Sequence, residues 1–234
     1  MYPTKITPNP LVSSTIEIRF KTEIEHSSIF KLFYGKLSDA LPEFESTTLP
    51  RDIRIKNPEL KLYPDYVFSN DDYSVSFNEN FISFENITEY KLWKNYSTSF
   101  KDILSLILGS KVIDTIDRIG IRYQSKFSVE NFATILKEVP SMKIDELEEN
   151  FVSYTTKILS ENFDLLVQLK KDITENTFNS EETKGHLIDI DVSISNNVEH
   201  ADIVNCIESG HSLLKRTFFG LLKDDFIKTL NPEY

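Results

Sequence analysis

A chain of 234 residues fits one large domain or two intimate halves, and should bury roughly 70% of its unfolded surface. With 40% hydrophobic and 12% aromatic residues it can build a core, which excludes disorder for most of its length. The formal charge of −11 excludes general nucleic-acid binding, because phosphate contacts need clustered Lys and Arg; it fits a soluble cytoplasmic protein, or one that docks on a basic partner.

The opening MYPTKITPNP lacks the basic start and apolar run of a signal peptide. No apolar run reaches the ~20 residues needed to span a bilayer, so no membrane association is expected. Leu11–Phe20 alternates as a strand, with Ile16, Ile18 and Phe20 on one face and Thr15, Glu17 and Arg19 on the other. Ser27–Leu41 has helical spacing: Ile29, Phe30, Phe33, Leu37 and Leu41 form a stripe, Ser27 or Ser28 can cap it, and Pro42 ends it. The Pro-rich, charged stretch Thr47–Pro64 reads as a long loop with one short strand at most. Tyr66–Ser69, Tyr73–Phe77 and Phe81–Phe84 are strand-like, the last two joined by a hairpin over Asn78–Asn80. Trp93–Leu108 is predicted to be a helix whose core face carries Phe100, Ile103, Leu104, Ile107 and Leu108, with Gly109 as its stop.

Val112–Phe127 (VIDTIDRIGIRYQSKF) is the most informative segment. Alternation puts Arg118, Gly120 and Arg122 on one face and Ile119, Ile121 and Tyr123 on the other. Two guanidinium groups flank a residue with no side chain. That cationic spot can hold a carboxylate or phosphate, with Arg19 as a third contact, or it can be neutralised by Glu17, Glu85 or Asp117 across the sheet. The short pattern and the ready carboxylates favour ion pairing.

The second half repeats the same grammar. A helix is expected around Val129–Lys137, an acidic turn at Asp145–Asn150, and strands at Val152–Ser160, Phe163–Asp172 and His186–Ser195, with Thr174–Lys184 as a polar hairpin loop. A helix Val198–Phe219, open to a break at Gly210, and a short helix Leu221–Leu230 close the chain. The expected class is α+β: antiparallel sheets covered by amphipathic helices, in two pseudo-repeated β-hairpin-plus-helix halves, 1–127 and 128–234, packed as one unit.

Sites of other kinds are thin. Asp189 and Asp191 share a strand face and could hold Mg²⁺ or do acid–base work, but a solvated sheet face alternates in the same way. His200 and His211 lie roughly 16 Å apart along a helix, too far to share a metal. His26 and His186 have no partner at ligand spacing. The lone Cys206 sits between Val204 and Ile207 and reads as an inert packed thiol. With only 6 glycines, and no phosphate loop, GxSxG, HExxH or CxxC, no cofactor is expected. Tyr90, Trp93 and Tyr96 cluster at a helix start and are candidate partner contacts.

Pro10–Val12 leading into IEIRF at Ile16–Phe20, then Tyr90 with Trp93, then RIGIRY at Arg118–Tyr123, resemble the markers of a sporadically distributed family of uncharacterised prokaryotic proteins. The Asp189 strand and the closing helix with His211, Phe218 and Phe219 sit where that family has comparable features. The resemblance implies a mobile or anti-phage defence locus and transfers no catalytic residue; the acidic stretch Thr174–Lys184 departs from it. The reading that follows is a non-enzymatic acidic interaction protein of antitoxin, immunity or adaptor type, with a basic protein partner and room for a homodimer. The alternatives are a small-anion or nucleotide sensor using Arg118 and Arg122, and a metal-dependent hydrolase using Asp189 and Asp191.

Overall fold

A computed structural model describes residues 2–47, 49–129, 131–140, 153–160, 162–175 and 183–234, and of 172–175, 183–184 and 196–197 the backbone alone. The class is α+β, with nine strands and five helices among the described residues. In chain order they are β1 (Leu11–Lys21), α1 (His26–Leu37), β2 (Glu43–Ser46), α2 (Arg51–Lys56), β3 (Tyr66–Ser69), β4 (Tyr73–Phe77) and β5 (Phe81–Asn86). Then come α3 (Leu92–Gly109), β6 (Thr115–Phe127), β7 (Ser153–Leu159), β8 (Asp164–Glu175), β9 (Thr183–Val198), α4 (Ile203–Leu221) and α5 (Asp224–Thr229). The strands pair in the order β2-β3-β4-β5-β1-β6-β9-β8-β7.

The chain divides into two compact units whose boundaries interleave. One takes 13–121 and 193–209; the other takes 1–12, 122–192 and 210–234. In the first, the period-2 pattern of β1 buries Ile16, Ile18 and Phe20, and β1 pairs antiparallel with β5 (Ile16 opposite Phe84). The helices α1 and α3 bury Ile29, Phe33 and Leu37, and Tyr96, Phe100, Ile103, Leu104 and Ile107. Phe33 meets Phe77 edge-on at 4.7 Å, and Phe84 meets Phe100 at 5.7 Å. Aromatic pairs of this geometry contribute roughly 0.5–1.5 kcal/mol beyond their burial.

In the other unit, Leu165, Val167 and Leu169 of β8 are buried, as are Ile188, Ile190 and Val192 of β9. Phe127 stacks on Phe218 at 6.3 Å and meets Phe226 at 5.8 Å. The N-terminal lead is tied down: Lys5 accepts from the Glu233 amide and donates its ammonium to Glu233 Oε1, while Tyr2 stacks on Phe219.

Several expected elements take other forms. The segment 47–64 carries the short helix α2 and a 3₁₀ turn, Pro58–Leu60, with no strand among its described residues; the unexpected strand β2 precedes it. The apolar spacing at 129–137 makes a 3₁₀ turn at Phe132–Thr134 instead of a helix. Asn131 bends the chain there by accepting from the Ala133 amide, an alternative that Asn offers to helical pairing. The α4 helix runs unbroken through Gly210, preceded by a 3₁₀ turn at His200–Asp202. The expected turn at Asp145–Asn150 and the centre of the Thr174–Lys184 loop lie outside the described residues.

The end of α3 is also not where glycine suggests. Gly109 stays helical, and the left-handed residue is Lys111, with φ 56° and its amide bonded to Leu108 O. A side chain at such a position costs roughly 1 kcal/mol that glycine avoids. Lys111→Gly is therefore expected to raise stability by about 0.5–1 kcal/mol, read as a higher urea midpoint at unchanged slope.

Candidate functional site

The charged face of β6 is occupied by its own side chains. In the first unit, Arg118 Nη1 donates to Glu17 Oε1 at 2.8 Å, and Arg19 Nε donates to the same oxygen at 2.7 Å. The Arg118 guanidinium lies flat over Gly120: a Cβ built there would stand 2.3 Å from Nη1 and 2.8 Å from Cζ. The missing side chain is thus what lets Arg118 fold back along its own strand. Gly120→Ala is expected to lift the guanidinium off Glu17 and to lose about 1 kcal/mol in the wild-type background. In an Arg118→Ala background the same change should be close to neutral. Equal losses in both backgrounds, by urea unfolding, would show that the glycine serves something else.

In the other unit, Arg122 grips Asp189 with both ends of its fork, Nε to Oδ1 at 2.9 Å and Nη2 to Oδ2 at 2.6 Å. Gln124 Nε2 donates to Oδ2 at 2.9 Å. Asp189 is 2% exposed, so it is a covered group and not part of a solvated face. Burial pushes its carboxyl up, but the hydrogen bonds from Arg122 and Gln124 and the charges of Arg122 and Lys170 outweigh this and hold it below its ordinary value. A metal at Asp189 would have to strip off these donors. Asp191 lies two residues on and is half-buried.

The aromatic trio splits. Tyr96 is fully buried, its hydroxyl 3.1 Å from the carbonyls of Ser14 and Phe84, so it presents no surface to a partner. Tyr90 and Trp93 are half-buried around it, and Trp93 Nε1 donates to Glu208 Oε2 at 2.8 Å. The histidines are held individually: His200 Nε2 lies 3.2 Å from Ile113 O, and His211 Nδ1 lies 3.2 Å from the Tyr123 hydroxyl. His186 is buried and stacks on Phe132 at 4.8 Å. Burial, with the Asp202 charge, pushes the Cys206 thiol up, away from thiolate chemistry.

A cluster that the sequence does not announce lies in the first unit. Arg54 of α2 is 1% exposed. Its Nε and Nη2 donate to Asp65 Oδ1 and Oδ2 at 3.1 and 2.8 Å, and Nη2 also reaches Glu79 Oε2 at 2.6 Å. His26, at the start of α1, donates from Nε2 to Asp65 Oδ2 at 2.9 Å, and Arg51 Nη2 donates to Glu79 Oε1 at 3.2 Å. Burial raises the Glu79 carboxyl, but the Arg54 hydrogen bond and the charges of Arg54 and Arg51 win and lower it. Ligand atoms of His26, Asp65 and Glu79 lie within 4.8 Å of one another, which is the spacing of a metal site. Arg54 Nη2, however, already sits against the two carboxylate oxygens that a cation would take. The cluster opens on a cleft of about 290 Å³ lined by Lys21, Thr22, Ile24, His26, Arg51, Glu79 and Asn80.

Comparison with protein-family models and with curated proteins finds no match to this chain. Among the described residues no helix is long and apolar enough to cross a membrane.

Proposed function

We propose that this chain is a non-enzymatic acidic interaction protein of antitoxin, immunity or adaptor type, serving a bacterial conflict or anti-phage locus in the cytoplasm. A common origin of its two halves belongs to the same reading. The observation that carries it is β2, the last strand in the pairing order, whose four residues are all exposed. Glu43 and Glu45 share one face of it. On the other face Phe44 is 41% exposed and packs on the half-buried Phe30 at 5.1 Å and the buried Phe68 at 5.2 Å, beside a 48% exposed Tyr34. An edge strand offers unpaired backbone groups, the aromatic rings offer contact area, and the carboxylates favour Lys and Arg. Together they suit an extended basic segment of a partner protein. Tyr90 and Trp93 are a second candidate contact, and the exposed strand β7 is a candidate homodimer edge.

The alternatives gain less. An anion at Arg118 competes with Glu17, and a metal at Asp189 competes with Arg122. Co-expression with the products of adjacent genes tests the proposal. A basic partner should co-purify, release as salt rises, and be lost on Phe44→Asp or on Glu43→Lys with Glu45→Lys. A complex unaffected by those β2 changes, or no basic partner among the neighbours, defeats it.

A further inference from the structure

Beyond protein docking, we infer that the cleft over the Arg54 cluster is a binding site for a small oxyanion, a phosphate- or carboxylate-bearing molecule. Its wall is rich in donors and poor in acceptors. Lys21, Thr22, Arg51 and Asn80, each with a donor side chain, line it, and Thr22 Oγ1 already accepts from the Ile24 amide, which leaves its proton to give.

Among the described residues Glu79 is the one carboxylate in the lining, and both its oxygens are spoken for: Oε2 by the buried Arg54, Oε1 by Arg51. Asp65, behind the wall, is likewise saturated by Arg54 and His26. Arg54 and Arg51 together balance the charges of Asp65 and Glu79 beneath the cleft, and Lys21 is paired with Asp117, so the cleft offers an anion donors over a neutralised floor. Arg51 and Lys21 each have N–H groups to spare beyond the contact with Glu79 or Asp117. On a chain of formal charge −11 this is a place where the lining carboxylate is already neutralised and spare donors remain for an anion. A cleft of about 290 Å³ lies at the low end for small-molecule sites, so the ligand is of single-phosphate or small-acid size.

The test uses the whole chain with three probes: inorganic phosphate, a nucleoside monophosphate and a dicarboxylate. Melting temperature is followed up to about 10 mM ligand, against sodium chloride at matched ionic strength. At least one probe should give a saturable rise that the salt control lacks, and its identity separates a phosphate from a carboxylate ligand. Lys21 and Arg51 are 75% and 44% exposed, so Lys21→Ala and Arg51→Ala should fold normally while weakening binding about tenfold each. Lys137→Ala, in the other unit, should respond like the wild type. No saturable rise with any probe, a rise matched by salt, or one that survives the Lys21/Arg51 double change overturns the inference. None of these results bears on the β2 docking surface, which has its own variants.

Discussion

Replacing Arg54 with methionine is expected to destabilise the protein by about 3–5 kcal/mol at neutral pH, as breaking a buried ion pair from one side typically does. The guanidinium is 1% exposed and serves two carboxylates at once. Without it, Asp65 and Glu79 face each other with oxygens inside 4.8 Å, and Arg51 and His26 at the rim keep one hydrogen bond to each, with His26 Nε2 a further 3.7 Å from Glu79 Oε2. Lysine should rescue little, since it cannot fork between Nε and Nη2 contacts. Adding Glu79→Gln to Arg54→Met removes one of the repelling charges, so the double variant should be more stable than the sum of the single losses. Acid provides the complementary check. Glu79 titrates below its ordinary value when folded, so its contribution is full above the unfolded carboxylate pKa of about 4.3 and is lost as pH falls through the lower, folded value. Arg54→Met should lose that contribution, and the gap between variant and wild type should narrow toward acid pH. A loss under about 1 kcal/mol at pH 7 would mean that the cluster is solvated and structurally idle.

That cluster was illegible for a physical reason. In α2 the sequence RDIRIK invites the two isoleucines inward and the arginines out. The structure leaves Ile53 and Ile55 at 52% and 55% exposure and buries Arg54. What overrides hydrophobicity is a pair of carboxylates 11 and 25 residues away, brought in by the chain after α2 and by the turn after β4. Local periodicity contains no trace of such a partner. His26 is silent in the sequence for the same reason, its aspartate standing 39 residues along the chain.

Where one face is buried and the other is not, the reading is direct. The alternation of β1 and the stripe of α3 reproduce the buried sets Ile16, Ile18, Phe20 and Phe100, Ile103, Leu104, Ile107, while Leu108, expected on the same face, is half-buried. The face of β6 is half legible. Glu17 is on the short roster of carboxylates available to the arginines, and it does meet Arg118 and Arg19. Asp189 as the partner of Arg122 needed the knowledge that β6 and β9 are neighbours, and strand order is a long-range property. Gly120 suggested an open spot beside two cations; its space is filled by the guanidinium of Arg118.

Arg122→Ala separates architecture from recognition at that strand. Arg122 is 49% exposed while Asp189 is 2% exposed, so the two ends of the pair are not equivalent. Removing the arginine strands a covered carboxylate with Gln124 as its remaining close donor, and the expected loss is about 2–3 kcal/mol at pH 7. That lies below the range for a fully buried pair, because water can enter where the guanidinium stood. The sign with pH follows from Asp189. In the wild type its pKa is depressed, so the pair stabilises fully above the unfolded value of about 3.9 and fades as pH falls through the folded one. In the variant the main cause of that depression is gone, burial raises the pKa, and the folded protein can take up the proton. The loss measured at pH 7 should therefore shrink as pH falls toward about 4, in a urea series run at each pH. A penalty that stays constant with pH would place the role of Arg122 in packing by its aliphatic stem. No penalty at all, with a lost response to phosphate, would return β6 to the anion-sensing reading.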